Sequence, residues 1–331
     1  MNSFGRLFRL SIFGESHGDI AGIVIDGCPA GLPLSAADFA HDIERRKGGI
    51  QKGTTPRKED DIPIFKTGLF NGVTTGAPIV IFFENTNTRS SDYEKQRATP
   101  RPGHADFVAG VKAGGFEDFR GGGHYSGRLT VALVAAGVVA KKIIAPLSVA
   151  ATITEIAGEK DQERGLQKAI DQKDSVGGIV ECRVSGLPAG LGEPFFDSME
   201  SQLAHIAFSI PAVKGVEFGA GFSATRMFGS EHNDAMIAAD GKTGTNHAGG
   251  VVGGLTNGNE LVFRVAVKPT SSTPKEQQTW NNETGQVESF AVRGRHDLCI
   301  ALRVPVVLEA ATAIVIADQL LLEQKIKRIL K

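Results

Sequence analysis

The chain has little of what marks several common protein classes. Its 3 cysteines are widely separated and form no CxxC pair, so we predict buried thiols, no disulfide framework and no metal site. Its 36 Lys and Arg are balanced by 37 Asp and Glu, which argues against nucleic-acid binding. The apolar stretches look shorter than the roughly 18 residues of a membrane span, and the N-terminus lacks a signal-peptide core. We therefore expect a cytoplasmic protein that binds neither nucleic acid nor membrane.

Glycine, in contrast, is abundant and clustered. The 41 glycines make up roughly 12% of 331 residues, against about 7% in an average chain. They gather at residues 48–49, 121–123, 215–222 and 249–258. Such clusters expose backbone N–H groups that can hold a phosphate or a planar cofactor, although tight turns between strands would produce the same pattern. Because charged and His residues flank these clusters, we favour the ligand-binding interpretation.

The order of predicted elements indicates two related halves. A strand over 21–27 precedes a helix over 35–46, with Ser35 as its N-cap and Asp38 completing a capping box. A strand over 177–186 and a helical pattern over 197–208 repeat this order. The sequence Pro-Ala-Gly follows both strands, at 29–31 and at 188–190. We infer two halves, residues 1–150 and 175–331, packed as one domain of mixed α/β (α+β) class.

Further patterns complete this outline. Residues 78–85 and 260–268 read as strands, because they are rich in β-branched and aromatic residues. Residues 130–144 and 306–329 read as long apolar helices, the second with Lys and Arg at its C-terminal end. The polar insert 155–174 is short enough to be an exposed helix and loop.

Two passages combine glycine with titratable side chains. In GESHG, residues 14–18, Ser16 and His17 lie between glycines, where an imidazole can approach a ligand and titrate near neutral pH. In RPGHAD and RGGGHYSGRLT, His104 and flanking cations surround a triple glycine that leads into a helix. Cations, an imidazole and helix N-terminal N–H groups would together bind an anion, whose leaving oxygen His104 could protonate.

Two further passages are rich in cations. Residues 44–58 carry six Lys or Arg and one Glu in an otherwise neutral chain, with Arg46 and Lys52 as candidate ligands of a small polyanion. A solvated charged face is the alternative. Residues 292–299 bring Arg295 and Asp297 close together, and an acid between cations stays ionised as a base or as an acceptor for a cofactor N–H. A structural Arg–Asp pair is the alternative there.

Taken together, the motifs resemble those of chorismate synthases over essentially the whole chain. In order they are GESHG, PAGLPL, ERRKGG, GVTTGAPI, ENTNTRSSDY, RPGHAD, RGGGHYSGR, DSVGG with LPAGLGEP, IPAVKGVEFGAGF, TNHAGG with GGLTNG, VKPTSS and RGRHD. The resemblance implies a large β-α-β sandwich of two pseudo-symmetric halves, assembled as a homotetramer.

The resemblance also implies an activity. It is that of a carbon–oxygen lyase in the shikimate pathway of aromatic amino acid biosynthesis. 5-Enolpyruvylshikimate 3-phosphate loses phosphate and a ring hydrogen in an anti-1,4-elimination that gives chorismate. The family requires reduced FMN without net redox change, and NADP is also associated with it. This chain shows no reductase domain, so an external flavin reductase would supply the reduced FMN.

Site residues follow from the resemblance by position. His17 matches the histidine beside reduced flavin, His104 the one near the substrate phosphate, and Asp297 the acid near flavin N5. The catalytic set is Ser16, His17, His104, Ser126 and Asp297. The substrate-anion positions are Arg46, Lys52, Arg128 and Arg295. The FMN positions are Ser126, Ala212, Asn246, Lys268, Ser272, Arg295 and Asp297.

This chain departs from the family pattern in the triple-glycine motif. Many members read GGGRSSARET, where this chain has His124, Tyr125 and Leu129 in place of Arg, Ser and Glu. Ser126 must therefore be the retained hydroxyl. Lys52 stands where many members have Arg, which replaces a fork of donors with a point charge.

Two other functions remain open on the residues alone. A flavin oxidoreductase with net hydride transfer would be supported by a GxGxxG motif after a strand, and the sequence has none in that context. A non-catalytic phospholigand-binding protein would be expected to lose catalytic side chains, but His17, His104 and Asp297 are all retained.

Overall fold

Two antiparallel sheets enclose a layer of apolar helices. The computed structural model describes residues 2–49, 51–57, 59–88, 97–292 and 296–330. Its strands are β1 (Ser3–Phe4), β2 (Arg9–Gly14), β3 (Ile20–Asp26), β4 (Ile64–Thr67), β5 (Leu69–Phe70), β6 (Val73–Thr74), β7 (Ile79–Glu84), β8 (Ser148–Ile156), β9 (Gly178–Ser185), β10 (Val213–Phe218), β11 (Val251–Val252), β12 (Leu255–Thr256), β13 (Leu261–Val267), β14 (Gln277–Asn281) and β15 (Gln286–Phe290).

The helices connect these strands. The α-helices are α1 (Ala40–Arg46), α2 (Asp106–Ala113), α3 (Thr130–Ile144), α4 (Gln162–Gln172), α5 (Met199–Ala207), α6 (Gly229–His232) and α7 (Val304–Leu322). Short 3₁₀ turns occupy Ala36–Phe39, Arg120–Tyr125, Gly127–Leu129, Phe195–Asp197, Gly221–Arg226 and Ile300–Arg303. The helix predicted over 35–46 is therefore a 3₁₀ turn followed by α1, and Asp38 accepts the Ser35 backbone N–H at 2.7 Å in the predicted capping box.

Each sheet buries one face. The first has the order β1-β2-β3-β7-β4 and the second β10-β13-β9-β8, with antiparallel neighbours throughout. In β7, Ile79, Ile81 and Phe83 are buried while the residues between them are not. The same alternation in β13 buries every second residue from Leu261 to Val267. Alternating burial is what a sheet with one face on the core requires, and the predicted strands are confirmed.

The helices α3 and α7 fill the space between the sheets. They pack against each other, α3 against β3 and β7, and α7 against β8 and β9. Both are apolar around most of their circumference, which a helix covered on several sides requires. The expected β-α-β sandwich is confirmed. Contrary to the sequence expectation, Ile300–Leu322 is long and apolar enough to cross a membrane, but most of it is buried inside the protein.

Gly137 permits the close approach of α3 and α7. A Cβ at this position would lie 2.2 Å from the Cβ of Ala310 and 2.4 Å from its Cα. We expect Gly137→Ala to lower the free energy of unfolding by about 2 kcal/mol, because overpacking a dense core outweighs the better helix propensity of alanine. Urea unfolding measures this. Gly229→Ala, with no atom within 4 Å of the added Cβ, is the control, and equal effects of the two substitutions would contradict the prediction.

The two Pro-Ala-Gly turns have the same hydrogen bonds. Thr74 Oγ1 donates to the Pro29 carbonyl at 2.6 Å and accepts the Leu32 N–H at 2.9 Å. In the second half, Thr256 Oγ1 donates to the Pro188 carbonyl at 2.7 Å, and it accepts the N–H of the corresponding leucine at 2.9 Å. Each threonine ends a two-stranded hairpin, β5–β6 or β11–β12. On this shared geometry we propose that residues 1–150 and 175–331 are related halves of one domain.

The end of the chain differs from the prediction. The helix predicted to reach residue 329 ends at Leu322, and Gln324 has a φ of 55°, outside the helical region. The chain then returns to the first Pro-Ala-Gly turn, where Ala30 exchanges hydrogen bonds with Arg328 and Leu330. The terminal Lys and Arg residues therefore do not belong to a helix end.

The cysteines are the predicted buried thiols. Cys28, Cys182 and Cys299 are free and buried. Burial raises the pKa of Cys28 and Cys182 to about 12 and that of Cys299 to about 11, which leaves all three unreactive near neutral pH.

Candidate active site

A cavity of about 680 Å³ lies where α3 and α7 begin. Its wall includes Gly127 to Thr130 at the start of α3, and Ile300 and Arg303 just before α7. A helix N-terminus presents unsatisfied N–H groups and partial positive charge. The described lining also contains the cations Arg46, Lys47, Arg57, Arg101, Arg128, Lys268 and Arg303, and the carboxylates Glu59, Asp61 and Asp297. The cavity is therefore electropositive although the chain is nearly neutral.

The triple glycine covers two histidines. Gly121 and Gly122 have φ values of 61° and 81°, which favour glycine. A Cβ at Gly121 would lie 2.4 Å from Cδ2 of His17, and one at Gly122 would lie 3.1 Å from Cε1 of His104. The glycines thus allow the loop to lie directly on both imidazoles. The two histidines, 87 positions apart by number, meet on this one loop.

His17 is buried behind the glycine loop, beside the cavity rather than in its described lining. Burial, together with the positive charges of Arg57 and Arg120, lowers its pKa to about 4, and the nearby acids Asp118 and Glu59 offset this only in part. The sequence led us to expect titration near neutral pH, but the side chain is neutral there in this structure. Desolvation and cations, neither visible in the pentapeptide, account for the difference.

His104 belongs to a chain of polar contacts. Its Nδ1 lies 2.6 Å from Oδ1 of Asp106, and Arg101 donates to both oxygens of that carboxylate at 2.7 Å. Arg101 also donates to Oγ of Ser272 at 3.1 Å. Burial alone would raise the pKa of Asp106, but its bonds to Arg101 and His104 hold that pKa well below its usual range. Ser272, a predicted cofactor residue, is thereby joined to His104, the predicted proton donor.

Asp61 holds together two predicted substrate-binding arginines. Its Oδ2 accepts from Nη2 of Arg46 at 2.8 Å, and its Oδ1 accepts from Nη1 of Arg128. All three side chains are buried. Burial would raise the pKa of Asp61, but the two guanidinium groups keep it below its usual value. Burial also lowers the pKa of Arg46 to about 10, so its side chain stays charged at neutral pH.

Arg46 retains a donor for a ligand. Its Nε is buried and has no hydrogen-bond partner among the residues that the structure describes, and the residue lines the cavity. A buried, unsatisfied donor on a cation is costly unless an anion binds it. Arg128 is more fully bonded, because it also donates to Oδ1 of Asn85 at 2.9 Å.

Arg57 connects the Ser16 loop to the cavity. It donates to Oγ of Ser16 at 3.2 Å and to Glu59 at 2.7 Å. Glu59 in turn accepts from the backbone N–H of Thr86 at 3.0 Å. Ser126, also in the lining, accepts the backbone N–H of Arg128 at 3.3 Å, which caps the turn before α3.

Asp297 lines the cavity from the other side. Its Oδ1 accepts the Thr55 backbone N–H at 2.8 Å, and its Oδ2 accepts from Arg303 at 3.1 Å. Arg303 also donates to the Arg46 carbonyl at 2.8 Å, so it links Asp297 to the substrate-anion region. The carboxylate is buried, and its cation partner is Arg303, which the sequence analysis did not name.

Ala212, Lys268 and Ser272 form one part of the wall. Lys268 donates to Oγ of Ser271 at 2.7 Å and to the Gly103 carbonyl at 3.2 Å, next to His104 in the sequence. Burial lowers the pKa of Lys268, and the charge of Lys214 adds to that effect. The predicted FMN positions from two distant motifs therefore lie together.

Comparison with known proteins identifies the family. The chorismate synthase family model matches residues 8–321. A chorismate synthase from Chitinophaga pinensis is 70% identical over 332 residues, which cover 100% of both chains. This chain belongs to the chorismate synthase family. It is therefore an enzyme of the lyase class.

More distant relatives agree. A chorismate synthase from Dehalococcoides mccartyi is 45% identical over 362 residues, covering 100% of this chain and 99% of its own. A solved structure described as a crystal structure of chorismate synthase superposes with a TM-score of 0.72 at 26% identity. It covers 97% of this chain and 93% of that chain. The family resemblance and the mixed α/β fold class are confirmed.

Besides His17, two predicted chorismate synthase site residues, Lys52 and Asn246, are absent from the described lining of the cavity. Lys52 is exposed and is absent from the described lining. Asn246 lies elsewhere, with its Nδ2 bonded to the Glu260 carbonyl at 2.8 Å. Arg295 lies outside the described residues. In the triple-glycine motif, where this chain differs from the family pattern, His124 donates from Nδ1 to the Gly14 carbonyl at 2.8 Å. Tyr125 in the same motif is 42% exposed at the cavity.

Four residues at the chorismate synthase site were missed as site residues. Asp61 and Asp106 are the carboxylates that hold the predicted cations and imidazole, and Arg57 and Arg303 bind Ser16 and Asp297. Asp106 ends the quoted RPGHAD motif, and Arg57 lies in the basic run, so the sequence held a signal for both. Asp61 and Arg303 lie outside the quoted motifs, and their contacts with Arg128 and with the Arg46 carbonyl join positions 67 and 257 residues apart.

Proposed function

We propose that this protein catalyses the anti-1,4-elimination of phosphate from 5-enolpyruvylshikimate 3-phosphate to give chorismate, with a requirement for reduced FMN. One observation carries the proposal. His104 lies between Gly122 and Asp106, beside a cavity lined by the buried cations Arg46, Arg101 and Arg128. An imidazole among buried arginines suits protonation of a leaving phosphate.

The residues present fit an anionic flavin next to an anionic substrate. The cavity offers excess positive charge, an Arg46 Nε without a partner in the described part of the chain, and a glycine loop whose surface a Cβ would fill. Reduced FMN, when bound, supplies electron density transiently and recovers it, so that the reaction has no net redox change. Ala212, Lys268 and Ser272 would hold it, with Ser126, Asn246, Arg295 and Asp297 as further proposed contacts.

The substrate anions would be held by arginines. Arg46 would donate its unused Nε–H, and Arg128, fixed by Asp61, would present positive charge without freedom to rotate. Lys52 and Arg295 stay proposed contacts of the same kind. Fixed charges stabilise the charge that develops on the leaving phosphate without reorganisation at the moment of reaction.

Proton movements would fall to three groups, His104, Asp297 and His17. His104 would give a proton from Nε2 to an oxygen of the leaving phosphate, as the carbon–oxygen bond breaks. Asp297, whose carboxylate accepts a hydrogen bond from Arg303, would accept the proton that arises from the ring hydrogen, with Ser16 and Ser126 as neutral donors and acceptors in the relay. His17, neutral in this structure, would gain a proton when negative charge binds beside it, because an anion offsets the burial that lowers its pKa to about 4.

We also propose a cytoplasmic homotetramer that obtains reduced FMN from an external reductase; the association with NADP stays a prediction. Self-association is supported by large apolar side chains on the surface. Phe195, Phe196, Phe222 and Phe228 are 76–90% exposed, which is unusual for a surface in contact with water.

The decisive experiment is an anaerobic assay of phosphate and chorismate release with photoreduced FMN, and with oxidised FMN as control. We expect one phosphate per chorismate, only with reduced flavin, and no net flavin oxidation. Product with oxidised flavin alone would contradict the flavin requirement. No product despite tight FMN binding would favour a non-catalytic binding protein.

Variants test the assigned histidines in the same assay. We expect phosphate release to fail after His17→Ala or His104→Ala, and to persist after His41→Ala, whose side chain is 81% exposed. Phosphate release that persisted after both His17→Ala and His104→Ala would contradict the roles proposed for these histidines.

A further inference from the structure

Asp106 is in contact with His104, but none of the proton movements proposed above involves it. It is the first residue of α2, and its Oδ1 lies 2.6 Å from Nδ1 of His104. The opposite ring nitrogen, Nε2, lies 3.4 Å from the Cβ position of Gly122 in the glycine loop. We propose that Asp106 is a positioning residue, which keeps a proton on Nδ1 of His104 so that Nε2 is the atom that exchanges protons with the substrate phosphate. This inference rests on the proposed function.

The distances determine where the proton lies. An ionised carboxylate only accepts hydrogen bonds, so a separation of 2.6 Å from Nδ1 requires a proton on that nitrogen. Arg101 Nη2 is also near Nδ1, at 3.1 Å, and an arginine only donates. That guanidinium nitrogen, however, already donates to Oδ1 of Asp106 at the shorter distance of 2.7 Å. The bond from Nδ1 to Asp106 is therefore the better of the two arrangements.

The carboxylate is available for this role. The pKa of Asp106 is well below its usual range, because bonds to Arg101 and His104 outweigh the effect of burial. It stays ionised at neutral pH and does not compete for the proton. Arg101 carries no acceptor for the proton, and its donation to Ser272 at 3.1 Å ties the pair to the part of the wall that contains Ser272.

The proton transfer from His104 accompanies the breaking of the carbon–oxygen bond. The Nε2 proton of the imidazolium passes to the leaving phosphate oxygen, and the electron pair of the broken carbon–oxygen bond leaves with that oxygen. The electrons of the ring carbon–hydrogen bond form one double bond, the existing ring double bond shifts by one position to form the second, and the released ring proton passes to Asp297. His104 ends neutral with its proton on Nδ1, still bonded to ionised Asp106. A second cavity of about 570 Å³ is also lined by His104 and Asp106, among others.

A structural role alone is the competing explanation. Asp106 also accepts the Arg101 backbone N–H at 3.1 Å, and an acid in the first turn of α2 favours the helix. A purely structural residue would affect stability and binding, but it would not set the tautomer of His104. The test therefore needs a readout of the tautomer and a separation of kcat from KM.

The experiment uses the full-length protein with ¹⁵N-labelled histidine. Two-bond ¹H–¹⁵N spectra, with His104→Gln to assign the signal, should show neutral His104 as the Nδ1–H tautomer. In Asp106→Asn we expect the Nε2–H tautomer, because Arg101 can then donate to Nδ1. We expect kcat for phosphate release to fall about tenfold, while KM stays within about twofold of the unmodified protein. The reason is that a reacting imidazole loses the partner that orients it. Asp106→Glu should restore part of kcat.

Asp161→Asn is the matched control, because Asp161 caps α4 through the Glu163 and Arg164 N–H groups. We expect it to change neither the tautomer nor kcat. An Nε2–H tautomer in the unmodified protein, or an Asp106→Asn kcat within twofold of it, would overturn the proposal. The spectrum of the unmodified protein depends neither on the folding of a variant nor on catalytic turnover. Absence of product with reduced FMN would therefore defeat the proposed function while the tautomer still tests the role of Asp106.

Discussion

Replacing Asp61 by alanine is expected to lower the free energy of unfolding by about 3–5 kcal/mol, because it leaves Arg46 and Arg128 buried without their shared partner. We also expect phosphate release to fall about a hundredfold, since the two guanidinium groups would lose their fixed positions and small displacements of binding groups are costly. Urea unfolding and the phosphate assay measure the two effects. The neighbouring Asp60 is exposed, so Asp60→Ala should change stability by no more than about 0.5 kcal/mol.

The effect of Asp61 on stability depends on pH in a defined direction. Its pKa is lower in the folded protein than in the unfolded chain, where it is about 3.9. Its contribution is therefore complete above the unfolded-state pKa and is lost as pH falls through the folded-state pKa. The gap between the unmodified protein and Asp61→Ala should be constant between about pH 5 and pH 8, and it should narrow below about pH 4. A gap that widened in acid would contradict the assignment.

Substitution of Gly121 by alanine is expected to lower kcat/KM for phosphate release about a hundredfold, because the loop can no longer lie on His17. The new Cβ would be 2.4 Å from Cδ2 and 2.6 Å from Nε2 of that buried imidazole. The φ of 61° would add roughly 1–2 kcal/mol of backbone strain.

Gly72→Ala is the control for Gly121→Ala, because it adds backbone strain without a contact to His17. Gly72 has a φ of 75° and no atom within 4 Å of its Cβ position, so the variant should lose similar stability and keep its activity. Steady-state kinetics with reduced FMN and thermal unfolding give both quantities. Equal losses of activity in the two variants would mean that strain, and not the contact with His17, causes the effect.

The sequence predicted most elements of the fold, because their patterns are local. Alternating burial in β7 and β13, and the apolar character of α3, can be read from short windows. The end of α7 was missed because the Lys and Arg residues after it resemble a helix C-terminus, whereas a positive φ at Gln324 and pairing with Ala30 end it earlier. That pairing joins opposite ends of the chain, and no local pattern encodes it.

The site could be predicted only in part, for the same reason. Motifs marked His17, His104 and the arginines by residue type and spacing. The charge state of His17 depends on its burial and on Arg57 and Arg120, all of which arise only when the chain folds. Asp61 was missed because it meets Arg128 across 67 positions of sequence. Residue types thus indicated which groups take part, and the fold determines which pairs of them meet.

The helices α3 and α7 serve as the core and also begin at the cavity wall. A change in how they pack, at Gly137 for example, would also move the starts of both helices and the arginines attached to them. Natural selection for a dense interior therefore acts on catalysis as well, and the interior of this enzyme is expected to evolve more slowly than its need for stability alone would require.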